Sequence, residues 1–192
     1  MGITIGLVTF FTLLILAFIF DARRRTAAWT LAAKRLGLSF PDDDISGVVD
    51  GVQLTIQHEG RGVGNSRKYF TVVTLNMAGE LPSGMSIRPE KILETVAALI
   101  GSEVVQFEFP GVDSKLMVNA LDESQLRVWA QRPNVSASLQ RLVSLESYWF
   151  EVTSHQIRFE RRGSMANAEK LEALIRELVA ITKELSADTD QE

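Results

Sequence analysis

Eighteen consecutive residues near the start of the chain, Ile3 to Phe20, carry no charge, whereas four of the next five (Asp21, Arg23, Arg24 and Arg25) do. As a helix rising 1.5 Å per residue, this run covers about 27 Å, close to the hydrocarbon thickness of a bilayer. Thr4, Thr9 and Thr12 are its polar residues, and a threonine hydroxyl can bond back to its own helix within lipid. A core helix of a globular domain would need a polar face that this run lacks. The expectation is therefore a lipid-facing transmembrane helix at residues 3–20.

Two other readings of the run fail on particular residues. A cleaved signal peptide has a charged start, a shorter apolar core and a small-x-small cleavage site. Here Phe18-Ile19-Phe20-Asp21-Ala22-Arg23 offers no such site. Myristoylation at Gly2 needs Ser or Thr where Gly6 stands. The flanking charges then set the orientation. No Lys or Arg precedes the span, while Arg23, Arg24, Arg25, Lys34 and Arg35 follow it. Positive residues stay cytoplasmic, so the expected topology is a single-pass inner-membrane protein, amino terminus out and domain in. Arg23, Arg24 and Arg25 form the membrane flank, at the level of anionic headgroups.

Beyond this anchor and flank (1–25) lies enough chain for one well-cored domain, residues 26–186, followed by a short acidic tail, 187–192. The whole chain has 20 basic and 24 acidic residues. Removing the three arginines and one aspartate of the flank leaves 17 against 23, a net charge of −6. Nucleic acid is an unsuitable partner for such a domain, because binding it needs a basic footprint. Cysteine is absent, which excludes disulfides, thiolate metal sites and cysteine catalysis.

Within the domain, Thr26 to Gly37 reads as a helix with Trp29, Ala32, Ala33 and Leu36 on one stripe and Gly37 as terminator. No breaker separates it from the span, which leaves open whether the two are one helix. Ile45 to Val49 and Val52 to His58 flank Asp50-Gly51, a two-residue hairpin signal. Strands are expected at Tyr69 to Met77, Met85 to Ile87, Val104 to Phe109 and Ser114 to Ala120. Pro89 is expected in the first turn of a helix carrying Ile92, Leu93, Val96, Leu99 and Ile100. Asp122-Glu123-Ser124-Gln125 has capping-box spacing, and Asn134 is expected to cap the next helix. A second hairpin turns at Ser154-His155, and Ala168 to Leu185 has the 3.6-residue period of an amphipathic helix. Alternating strands with helices between them predict an α+β fold: a mainly antiparallel sheet covered by helices on one face, with a C-terminal amphipathic helix.

No constellation in the sequence assembles a known chemistry. Gly60-x-Gly62-x-Gly64 joins two strands, whereas phosphate-cradling loops lead into a helix. Arg61, Arg67 and Lys68 around it are candidates for an anion or lipid headgroup. The two histidines, His58 and His155, have no local orienting partner, and a zinc site would need both plus distant carboxylates. Asp42-Asp43-Asp44 lacks the alternate spacing of a calcium loop. Of the aromatic pair Tyr148-Trp149, one is expected in the core and one at the surface. No catalytic residue, metal site or cofactor is assigned.

The run Leu31-Ala32-Ala33-Lys34-Arg35-Leu36-Gly37-Leu38, the Ile45-x-Gly47-x-x-x-Gly51-x-x-Leu54 hairpin and the Pro82 to Arg88 segment resemble a loose set of uncharacterised bacterial single-pass membrane proteins. The resemblance implies a membrane location and an α+β cytoplasmic domain, and no activity. The expected function is a non-catalytic, membrane-tethered interaction or scaffold module. Its partners would be the bilayer through residues 3–20, together with a protein partner or a second copy of the chain. The alternatives are an enzyme on a membrane-proximal substrate, or a lipid-headgroup sensor. The sensor requires the Arg61–Lys68 loop to face the same side as Arg23–Arg25.

Overall fold

The structure, a computed structural model, describes residues 2–41, 44–63, 66–77, 79, 81–89, 105–106, 109, 112 and 116–187. Helix α1 (Gly2–Leu36) is unbroken for 35 residues, about 52 Å at helical rise, so the expected span and the first domain helix form one rod. Its side chains are described at 12, 13 and 16 and from 19 onward. Among the described residues no helix is long and apolar enough to cross a membrane. Most side chains of the 3–20 run lie outside that set. At the other end, Gly37 adopts φ +70° and the Leu38 N–H returns to the Ala33 carbonyl at 2.9 Å, closing the helix as expected.

Strands β1 (Ile45–Val49) and β2 (Val52–Arg61) form the first hairpin. Its turn has φ +49° at Asp50 and +84° at Gly51, the positive pair that a two-residue turn of this twist demands. Strand β3 (Lys68–Asn76) follows, then β4 (Ser86–Pro89), β5 (Val105–Gln106) and β6 (Leu116–Asn119). The later elements are α2 (Glu123–Ala130), α3 (Pro133–Ser144), β7 (Trp149–Thr153), β8 (Gln156–Arg162) and α4 (Ala168–Ser186). The strands lie in the order β1-β2-β3-β8-β7-β4-β6-β5, and every pair recorded is antiparallel. The expected α+β fold is present.

Register divides the sheet into two faces. Val52, Leu54 and Ile56 of β2, Val73 and Leu75 of β3 and Ile157 and Phe159 of β8 are buried beneath the helices. Helix α4 lies on β2 and β3 and packs against both α1 and α3. Trp29, Ala32 and Ala33 of α1 and Leu171, Ile175, Leu178 and Ile181 of α4 complete the core. Trp29 is 1 % exposed and its Nε1 donates to the Met165 carbonyl at 3.0 Å, so it packs on the domain. The α3–α4 seam is polar at its rim: Arg141 bonds Glu177 and Glu184, and Ser138 donates to Glu184.

Three local expectations are corrected. Pro89 closes strand β4 opposite Leu116; its fixed φ is compatible with a strand end, and the expected helix at 90–100 lies outside the described residues. Asn134 sits inside α3 behind Pro133 at its first turn. Its amide donates to the Glu184 carbonyl, tying α3 to the end of α4, and the cap position is Arg132. Neither aromatic of Tyr148-Trp149 enters the core: Trp149 stands opposite Glu160 and Tyr148 precedes β7 with its ring against Phe70, while Phe150 takes the inward position. The expected residues Asp42, Asp43, Gly64, Val104, Phe107, Ser114 and 188–192 lie outside the described set.

Candidate functional site

Two guanidinium groups bracket a pair of stacked rings where α1 reaches the sheet. His58 on β2 and Tyr69 on β3 stack with centroids 5.0 Å apart and planes 3° from parallel. Arg67 covers the Tyr69 ring at 5.5 Å, and Arg25 of α1 bonds the histidine from the other side. Arg25 Nη1 lies 2.9 Å from His58 Nδ1 and 3.4 Å from Nε2, over the imidazole, and Ser164 Oγ is 2.8 Å from Nε2. Trp29 meets the histidine edge-on at 6.4 Å.

Gly60 makes this arrangement possible. It stands opposite Tyr69 in the ladder, and a Cβ there would lie 2.5 Å from Arg67 Nε. The missing side chain is the space that Arg67 occupies. The glycine-rich stretch therefore admits an arginine, a role its spacing alone does not reveal.

The candidate cations separate into two groups. Arg23 and Arg24 are exposed on α1, Arg25 is half-buried against His58, and Arg67 and Lys68 are exposed beside Tyr69. The flank and the loop thus meet at one end of the sheet through the His58–Tyr69 pair. Arg61 is turned away into an ion-pair network on the open face. It grips Glu160 through both oxygens at 2.8 and 2.7 Å, bonds Glu59 at 2.7 Å and covers Phe70 at 4.9 Å. Arg158 completes the network on Glu59 and Glu160. Burial opposes ionisation of Glu160, whose side chain is 4 % exposed, but the bonds from Arg61 and Arg158 outweigh it and hold the carboxyl below its ordinary value.

The histidines do not form an acid–base pair. His58 is opposite Thr71 near the start of β3, and the His155 carbonyl accepts from Met77 just past its end. Six residues of strand, about 20 Å, separate those positions. Among the described residues no group of three or more His, Asp or Glu side chains is placed to hold a metal ion. At the His155 end lies an open cleft of about 640 Å³ between the 79–83 segment, α2 and the β7–β8 turn.

No protein-family model matches the chain, and no curated protein matches it. The chain is similar in fold to the crystal structure of the mycobacterial trehalose monomycolate transport factor A. The TM-score is 0.53 at 11% identity, over 89% of this chain and 98% of that one.

Proposed function

We propose that the chain is a non-catalytic module tethered to the inner membrane by residues 3–20, acting on lipid at the cytoplasmic surface. The observation that supports this best is the junction of α1 with the sheet. An unbroken helix brings Arg23, Arg24 and Arg25 to the same end as Arg67 and Lys68, and the Arg25–His58–Tyr69–Arg67 stack locks them together. A collar of cations around the exit of an apolar helix suits anionic headgroups, each basic residue adding on the order of 1 kcal/mol. The fold neighbour, named as a transport factor for trehalose monomycolate, supports a lipid-related role.

The chain has no cysteine, so a cysteine introduced at Ser66 gives one unambiguous dye position in the full-length protein. In vesicles containing anionic lipid, the dye should report a drier environment than in purely zwitterionic vesicles. Arg67→Gln with Lys68→Gln should abolish that difference. Equal spectra in both vesicles would remove the headgroup reading. A carboxy-terminal reporter active outside the cytoplasm would overturn the topology.

A further inference from the structure

The β2–β3 hairpin and the amino-terminal half of α1 leave the domain at the same end. Ser39, just past α1, bridges Ser46, which lies opposite Thr55 of β2. Trp29 and Arg25, farther back along α1, both meet His58, farther on along β2. Moving backward along α1 is therefore moving forward along β2, toward the turn that leads into β3. From the helical turn holding Arg25 and Trp29 back to Phe20, α1 rises about 10 Å, while from His58 to Val63 the hairpin advances about 16 Å. Val63 thus comes level with the start of the apolar run at any inclination of strand to helix up to about 50°.

Val63 is 88 % exposed, the most of the large apolar side chains among the described residues. A single exposed valine is ordinary on a protein surface, but the setting of this one is not. The sequence between Arg61 and Arg67 carries no charge. Behind it Arg67 covers the Tyr69 ring and Lys68 is exposed, which puts an apolar tip on a cationic base. The β2–β3 ladder runs out to a last pair at Arg61 and Lys68, so that base is sheet. Gly62 then has φ +99°, and a Cβ there would lie 2.9 Å from the Ser66 carbonyl oxygen. The turn it permits lets the Val63 carbonyl accept from the Ser66 amide at 3.3 Å and from the Ser66 hydroxyl at 2.8 Å. A carbonyl already bonded within the protein costs less to bring into a low-dielectric medium than one that must give up water. On α1, Leu16, Ile19 and Phe20 are likewise apolar and exposed.

We infer that Val63 inserts into the bilayer interface beside α1, so that the hairpin makes a second, apolar contact with the membrane. Its side chain lies below the phosphates while Arg67 and Lys68 stay level with them, their methylene stems spanning the difference. The inference rests on the membrane reading above and adds depth to it. Cations alone would hold the hairpin on the headgroups, whereas an apolar tip carries it beneath them. Two contacts, α1 and the hairpin, also fix the rotation of the domain about α1, which a single helix leaves free.

The test uses the full-length protein with a dye on Ser66→Cys, in vesicles of phosphatidylcholine and phosphatidylglycerol. A nitroxide is carried either on the lipid headgroup or near the top of the acyl chain. The acyl-chain nitroxide is expected to quench the dye more strongly than the headgroup nitroxide. Val63→Asn should reverse that order, and Val63→Leu should preserve it. Asparagine is uncharged, so the reversal reports lost apolar surface and not repulsion by anionic lipid. Val63 is exposed, so neither variant removes core packing. Stronger quenching by the headgroup nitroxide when Val63 is present overturns insertion and leaves the headgroup reading standing. An order that Val63→Asn does not change has the same consequence. Quenching by neither nitroxide overturns both.

Discussion

Glu160 is the residue whose environment departs furthest from its type. A carboxylate almost out of water survives because Arg61 and Arg158 both reach it, and Glu59 balances their charge. Removing one partner from such a set leaves desolvated groups unsatisfied, which usually costs more than the interaction contributes. Glu160→Gln should therefore lower stability at neutral pH by about 1–3 kcal/mol, read as a fall in Tm of the full-length protein. The sign of the pH effect follows from the direction of the shift. Glu59 and Glu160 are both held below their ordinary value of 4.5: burial raises each, but the arginine bonds prevail. Their contribution is present above about pH 4.5 and is lost as the pH falls through the depressed folded values. Wild-type Tm should drop steeply on acidification below that point, and the Glu160→Gln profile should be flatter. Parallel profiles would mean the network carries no linkage.

The elements differ in how much of themselves they display locally. The Asp50-Gly51 hairpin, the amphipathic α4 and the Gly37 terminator were readable, since each depends on neighbours a few residues away. The strand order was not, because β3 pairs with β8 across some ninety residues and leaves no trace in either segment. The junction was hidden for the same reason. His58 looks solitary in sequence, yet its partners are Arg25, 33 residues earlier, and Ser164, 106 residues later. Gly60 was visible as a glycine but not as the space for Arg67. The continuity of α1 is an element-scale property with its own test. Thr26→Pro removes an interior helix bond and forces a kink costing about 3 kcal/mol locally, while leaving the Trp29 stripe in place. Spin labels on Leu16→Cys and Ser144→Cys should give a narrow distance distribution in the otherwise wild-type chain and a broad one with Thr26→Pro. Two equally broad distributions would show that α1 does not hold its first turns rigidly to the domain. Trp29→Ala should instead loosen the docking itself, costing about 3–5 kcal/mol through the cavity and the unpaired Met165 carbonyl.

At the scale of the molecule, a stiff helix that is a core element of the domain would, as the proposed anchor, leave the domain little freedom to choose which end meets the bilayer. α1 docks beside the start of β3, and α4 runs from that end to the far one, where Trp129 and Arg132 donate to the Leu185 and Ala187 carbonyls. Strand β3 has nine residues and spans about 30 Å, which separates the Ser66 end of the domain from the His155 end; in the proposed upright arrangement the two ends would stand at different heights above the bilayer. Dyes on cysteines introduced singly at Ser66 and His155 convert that geometry into a measurement, with headgroup-attached nitroxide lipid as the quencher. Quenching is short-ranged compared with about 30 Å, so the Ser66 dye should be strongly quenched in anionic vesicles and the His155 dye barely. A domain hanging from a flexible tether would sample both orientations and quench both dyes partially. A domain lying flat would quench both fully. Either of those results would overturn the proposed upright arrangement, in which the Arg67 end meets headgroups and the His155 end stands away from the bilayer.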